Sequence, residues 1–398
     1  MSETLDVVVL GAGAVGLACA RALALQGREV FVIEPEGGIG RGTSSRNSGV
    51  IHAGLYYPRA SWKGRLCATG SQLLYAYCAE HGVAHERTGK WILATNANEL
   101  PALRALAQNA RGNGVDLHDV SQSELRAREP LLRAEAALWS PRSGVVDVHG
   151  LMEALARDVR EHGGQLVLGQ RCRSLRRAAA GWELELESSA PPAEHVPPDD
   201  GIRGEHATEV LHARHVVNAC GHAAPDVARW AGVDLRARGL SPSLYRGDYL
   251  SMSPAAPRPN CALVYPLPQQ HGLGVHLTRD LGGRLRAGPD AYPVDRVDTS
   301  LTRLDAQAWA EKAERFAEAV RRYLPGVQAA HLEPEFAGVR PKLTPEDGGP
   351  TDFVLLGPDD TGAPGMVHLL GIESPGLTAC LAIAEWVATR LETRTTVA

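Results

Sequence analysis

Residues 6–34 read DVVVLGAGAVGLACARALALQGREVFVIE, and the fold follows from how that run divides. Val7, Val8 and Val9 make a continuous apolar step, the pattern of a strand buried on both faces. They lead directly into Gly11-Ala12-Gly13-Ala14-Val15-Gly16. Alanine and leucine then recur at helical spacing as far as Gln26-Gly27, and a second apolar strand ends on Glu34. Strand, glycine turn, helix, strand and acid together are the βαβ dinucleotide fingerprint. Gly11 permits the tight turn, Gly13 lets backbone N–H groups approach a pyrophosphate, and Gly16 allows the helix to pack closely on the strand. Ala14 and Val15 open the helix, whose N-terminus offers a positive dipole end to phosphate. Glu34, roughly 18 residues beyond Gly16, is placed to accept hydrogen bonds from a ribose diol. A carboxylate there repels a 2′-phosphate, so FAD or NAD is favoured over NADP.

The next stretch, residues 37–54, reads GGIGRGTSSRNSGVIHAG. It is too rich in glycine and serine for a regular helix and too mixed for a linker. Small residues let this backbone press against something flat, while Thr43, Ser44, Ser45, Arg46 and Asn47 can bond to phosphate or ring edges. Arg46 can neutralise a pyrophosphate, and His52 is the one side chain here that titrates near neutral pH.

Farther out, helical patterns are expected over residues 61–81, 98–113, 121–129, 151–162, 305–323 and 377–391, with strands between them. Residues 182–187, WELELE, alternate strictly and read as a half-exposed strand, and residues 188–204 read as a hairpin tip without chemistry. A strand turning sharply at a glycine is expected at residues 215–222, bringing Ala219 and Gly221 to the nucleotide fold. Residues 240–292 carry short apolar segments broken by proline and glycine, as an antiparallel sheet does. The order predicts an α/β chain: a discontinuous Rossmann-like FAD-binding domain of the glutathione-reductase type, with an inserted antiparallel-sheet α+β substrate domain. Residues 1–88, 145–235 and 335–398 are assigned to the former, and 89–144 and 236–334 to the latter. No second GxGxxG follows a strand, so one dinucleotide carrying its own redox centre, FAD, is the economical cofactor.

Composition narrows the class. The 398 residues are 44% hydrophobic and 22% charged with a net charge of −5, which gives no electrostatic case for nucleic acid. The seven cysteines are scattered without a CxxC, so neither a metal centre nor a disulfide framework is expected. No apolar run approaches a membrane span, and the dinucleotide strand starts almost at Met1, from which a cytoplasmic location is expected.

The segment SRNSGVIHAGLYY, residues 45–57, resembles the flavin-proximal signature of the L-2-hydroxyglutarate dehydrogenases/oxidases, a branch of the D-amino-acid-oxidase-like FAD-dependent oxidoreductases. The resemblance continues through Gly89-Lys90, Arg246-Gly247-Asp248-Tyr249, Tyr265-Pro266, Gly274-Val275-His276, Gly338-Val339-Arg340-Pro341-Lys342 and Glu373-Ser374-Pro375-Gly376-Leu377-Thr378. It implies FAD contacts from Gly49, Val50 and Ile51, from the turn at Pro375, Gly376, Leu377 and Thr378, and from the Cys172-Arg173 backbone beside adenine. It also implies oxidation of a small 2-hydroxy acid, with L-2-hydroxyglutarate leading, by hydride transfer to flavin N5. His52 and His276 are then candidates for the base that takes the hydroxyl proton. Arg340 can fork onto one carboxylate and is also a candidate flavin contact; Lys90, Arg246, Tyr265 and Lys342 are candidates for the rest of a small dicarboxylate. Oxygen, a quinone or a protein remain open as electron acceptor. Two rivals stand beside this: an amino-acid or secondary-amine oxidase of the glycine, sarcosine or D-amino-acid type, and a flavin-binding redox partner without turnover.

Overall fold

In the computed structural model, residues 4–189, 208–267, 274–300 and 305–391 are described, and the opening run forms β1 (Thr4–Leu10), α1 (Ala14–Leu25) and β2 (Val30–Glu34). Val7, Val8 and Val9 are fully buried, as a strand covered on both faces requires. The strands Gln165–Leu168, β2, β1, Thr208–Asn218 and Met366–Leu370 lie side by side and all run parallel. Parallel neighbours cannot be joined by a tight hairpin. The nucleotide sheet is therefore gathered from four separated parts of the chain. On one face the helices α1, Trp62–Glu80, Val148–Glu161 and Gly376–Arg390 share a core that includes Leu17, Leu74, Leu155 and Ile383.

On the other face, Gln170–Ala178 and Gly181–Ser188 form an antiparallel ribbon with the outer half of Thr208–Asn218. The alternation at 182–187 holds, with Trp182, Leu184 and Leu186 buried. Gln170–Ala178 escaped the sequence reading. A register shift between Cys172 and Ser174 breaks its period, and its arginines face water, Arg173 and Arg176 pairing with Glu187 and Glu183 on the neighbouring strand. The hairpin tip expected at 188–204 lies almost wholly outside the described residues.

The second sheet has nine strands and is antiparallel except where Leu263–Pro266 runs alongside Lys90–Ala94. Its spine is the pair Leu240–Met252 and Leu332–Pro345, hydrogen-bonded along nearly their whole lengths, with helix Ala306–Arg321 packed behind through Phe316 and Val320. The expected boundary at 335 falls inside this second strand. Its pairing carries the substrate sheet on to Pro345 before the chain returns to the nucleotide fold.

Two glycines hold the first turn together. Gly11 has φ +103°, a conformation that a side chain rarely adopts, and a Cβ on Gly16 would sit 2.0 Å from the Gly11 carbonyl oxygen. Gly16→Ala should therefore push α1 off the turn, costing roughly 1–3 kcal/mol. Thermal melts and FAD titration of the purified variant should show a lower Tm and weakened cofactor retention; wild-type values in both would refute the close-packing role.

Candidate active site

Between the two sheets runs a cleft with an empty volume of about 1320 Å³. Gly13, Ala14, Val15 and Gly16 line one end, at the N-terminus of α1, so unpaired helix N–H groups and their dipole face into it. A Cβ on Gly13 would meet Ser44 Oγ at 2.9 Å, and that hydroxyl accepts the Ala14 N–H at 3.0 Å. Ala219 and Gly221 form the adjoining wall, the latter at φ +56°. Thr43, Ser44, Arg46 and Asn47 lean over the same end. Asn47 also shapes its own loop, donating to the Ser44 carbonyl at 2.7 Å and accepting the Gly49 N–H at 2.8 Å. Arg46 makes no ion pair among the described residues.

Pro375, Gly376, Leu377 and Thr378 line another part of the cleft, at the start of the closing helix Gly376–Arg390. A cleft carrying two helix N-termini, a glycine cradle and an uncommitted guanidinium fits an elongated dinucleotide with an anionic middle. The donor set favours phosphates at α1, where no side chain but Ser44 competes for the space.

The cavity's substrate side is polar. His52, Tyr249, Tyr265, His276 and Arg340 all face it. His276 is buried and stacks on Tyr265 with ring centroids 3.6 Å apart and planes 14° from parallel. His52 is held by its backbone N–H, which donates to Thr378 Oγ1 at 3.1 Å, and its Nε2 lies 3.4 Å from Ser374 Oγ. Burial above all, then the neighbouring Lys90 and His276, keep the His52 imidazole well below its usual pKa. It is neutral at physiological pH. Arg340 makes no ion pair among the described residues, and its Nη2 lies 2.9 Å from the point where a Gly247 side chain would begin. The opposed pair Gly247 and Gly338 makes room on this face: a Cβ on Gly338 would strike the Arg46 carbonyl at 2.4 Å.

Strand alternation sorts the remaining candidates. Tyr245, Gly247 and Tyr249 share a face with their partners Arg340, Gly338 and Phe336, so Arg246 points the other way. There it bonds Asp248 at 2.8 Å and the carbonyls of Asp298 and Ser300, each at 2.9 Å, and it does not line the cavity. Lys342 lies off the cavity wall, 3.6 Å from Glu373 and over the Tyr245 ring. Arg173 is outside the cavity and paired with Glu187, and the Cys172 thiol, pushed up to about 12 by burial, bonds the Ser174 carbonyl. Ser45 turns outward onto the Gly42 carbonyl. Ile51 is core, and Gly49 is a turn whose Cβ would meet the Val146 carbonyl at 2.9 Å. Glu34 accepts the N–H groups of Ala12 (2.7 Å) and Glu36 (3.0 Å), so its first duty is to brace the glycine turn. Ser48, Tyr249, Glu373 and Ser374 were missed as site residues; each sits inside a quoted motif, and the period-two pattern could have picked Tyr249 over Arg246.

Lys90 is fully buried behind this wall, its Nζ without a hydrogen-bond partner among the described residues and over the rings of Tyr265 (4.6 Å) and Tyr56 (5.1 Å). It does not line the cavity. Burial brings its pKa down to about 7 from 10.5. The folded state therefore binds fewer protons than the unfolded one between those values, and stability is lost as pH falls through that window. Lys90→Met should raise stability at pH 6 by several kcal/mol, on the order of 4, and by much less at pH 10. Melting curves at the two pH values decide it, and an equal gain at both would show that the ammonium carries no burial penalty.

Residues 6–390 match the model of the DAO family, FAD dependent oxidoreductase. The chain is 38% identical to the mitochondrial L-2-hydroxyglutarate dehydrogenase of Arabidopsis thaliana, over 98% of this chain and 83% of that protein. It is 28% identical to the Homo sapiens enzyme of the same name, over 99% and 90%. In architecture it is similar to the dithionite-reduced, FAD-bound L-alpha-glycerophosphate oxidase of Mycoplasma pneumoniae, with a TM-score of 0.81 at 22% identity, covering 98% of this chain and 96% of that one. The dinucleotide cleft and these likenesses agree: the chain belongs to the FAD-dependent oxidoreductase family, in its L-2-hydroxyglutarate dehydrogenase branch.

Proposed function

We propose that the protein oxidises L-2-hydroxyglutarate to the 2-oxo acid. The observation that carries this reading is a cavity whose lining holds two imidazoles, His52 and His276, and the Arg340 guanidinium, which makes no ion pair among the described residues. The relatives' substrate supports the choice of acid. Bound FAD supplies the two-electron acceptor for the hydride that leaves C2. The chain supplies the remainder. Arg340 holds a carboxylate through a planar fork, which fixes the hydroxyl-bearing carbon against the opposite wall. His52, neutral because burial disfavours its charged form, takes the hydroxyl proton on its ring nitrogen; His276, stacked on Tyr265, is the alternative acceptor. Tyr249 and Ser48 offer hydroxyls on the same side. An amino acid carries the same carboxylate, so Arg340 suits the amine-oxidase reading equally; what favours the hydroxy acid is the relatives' substrate.

We further propose a cytoplasmic location, for which the mitochondrial plant and human relatives offer no support. Among the described residues no helix is long and apolar enough to cross a membrane.

Anaerobic addition of L-2-hydroxyglutarate should bleach the flavin; bleaching by amino acids but by no hydroxy acid would hand the site to the amine oxidases. His52→Ala should slow that bleaching at least ~100-fold with FAD retained, whereas an unchanged single-turnover rate would reduce His52 to packing and leave His276 as the base. Because the His52 pKa is depressed, bleaching should stay fast as pH falls through 6.5 and fade only well below it. Arg340→Met should raise the half-saturating acid concentration roughly 10- to 100-fold, more than it lowers the limiting rate.

A further inference from the structure

On the far side of the Arg340 wall lies a charged cluster that takes no part in the chemistry above. Asp248 is fully buried, and its carboxylate accepts from Arg246 Nε (2.8 Å), Tyr292 OH (3.0 Å) and Lys312 Nζ. Asp290 is held less firmly. Its Oδ1 accepts the Asp248 N–H at 2.7 Å, and its Oδ2 lies 3.6 Å from the Lys312 ammonium, which Asp248 holds more closely. The residues on either side of Asp290, Pro289 and Ala291, line the cavity. The carbonyl oxygen of Asp290 and Arg340 Nη2 converge over Gly247, 2.7 and 2.9 Å from where its Cβ would be. Asp290 thus sits between the cluster and the substrate-facing guanidinium, its backbone against Arg340 and its carboxylate within the charge field of Arg315, Arg340 and Arg246.

We propose that Asp290 is a specificity-determining residue: its charge sets how strongly the Arg340 wall favours a dicarboxylate, which carries two negative charges, over a monocarboxylate. This rests on the reading of Arg340 as a carboxylate site. Ionised, Asp290 cancels part of the positive field that reaches the cavity, whereas neutral it leaves that field whole. Burial raises its pKa to about 6 against the opposing pull of Arg315, Arg340 and Arg246. The groups facing it are Lys312 and Arg315 from helix Ala306–Arg321, Arg246 and Asp248 from strand Leu240–Met252, Tyr292 from its own neighbouring strand, and Arg340. Of these only Lys312, brought down to about 8 by burial, titrates near neutrality, and it does so above the window that matters. Attraction for a dicarboxylate should therefore be strong below pH 6 and weaken as pH rises through it.

The test uses the FAD-loaded enzyme and two acids that cannot be oxidised at C2, glutarate and butyrate, followed by perturbation of the flavin absorbance. In the wild type, the glutarate Kd should rise about five- to tenfold between pH 5.5 and 7.5, and the butyrate Kd by clearly less. Asp290→Asn keeps an acceptor for the Asp248 N–H and should bind glutarate at pH 7.5 as tightly as the wild type does at pH 5.5. An unchanged pH dependence in D290N, or equal shifts for the two acids in the wild type, would overturn the role of Asp290. Should D290N fail to fold, Asp290→Ser, judged by the same loss of pH dependence, decides the matter. Binding of neither acid at any pH would overturn the carboxylate reading of Arg340 itself, and this inference with it.

Discussion

A single hydroxyl ties the two ends of the chain across the cleft. Thr378 Oγ1 accepts the His52 N–H at 3.1 Å and donates to the Val50 carbonyl at 3.3 Å, so the segment after the glycine-rich loop is stitched to the first turn of the closing helix. The close approach this demands is secured from behind by Gly70, whose Cβ would sit 2.6 Å from the Thr378 carbonyl oxygen. Farther along, Lys63 of the same helix bonds Glu373 at 2.8 Å, and the Asp352 carboxylate accepts the Trp62 and Lys63 N–H groups. Buried ion pairs seldom add much net stability, since desolvation offsets the attraction. Their use here is positional: they fix the turn that presents Ser374 to His52.

The cleft acquires its chemistry from what is left unpaired around it. Most of the molecule's arginines that meet acids do so outside this cavity, as Arg246 does with Asp248 and Arg286 with Glu335. Arg46 and Arg340 stand on the cavity wall without such partners among the described residues. Both therefore keep their charge for an anion that enters the cleft. The glycine pair Gly247 and Gly338 permits this arrangement, because any side chain there would occupy the space taken by a guanidinium or by the Arg46 backbone.

The nucleotide half was legible because its signals are local. A buried valine step, a glycine turn and an apolar, largely buried helix follow one another without interruption, and each constrains only its neighbours. The substrate half was harder. Ala136–Ser140 was not read at all, and neither, in the nucleotide half, was Gln170–Ala178, because their pairing partners lie on other strands and supply the burial that sequence alone does not display. The site residues divided in the same way. The glycines, Arg46, His52, Arg340 and the Pro375–Thr378 turn were readable from motif, whereas Arg246 and Lys342 looked identical to binding cations until their acids, Asp248 and Glu373, were found beside them.

By itself the sequence determined that a dinucleotide is bound, which glycines make the turn, and which family signature accompanies it, since these depend on residues adjacent in the chain. Only the tertiary structure decided which cations remain free, that Lys90 lies sealed behind Tyr265, and that Tyr249 rather than Arg246 faces the cavity. The reason is physical: a charge is spent or available according to what stands within a few ångströms of it, and those neighbours come from strands and helices far away in sequence.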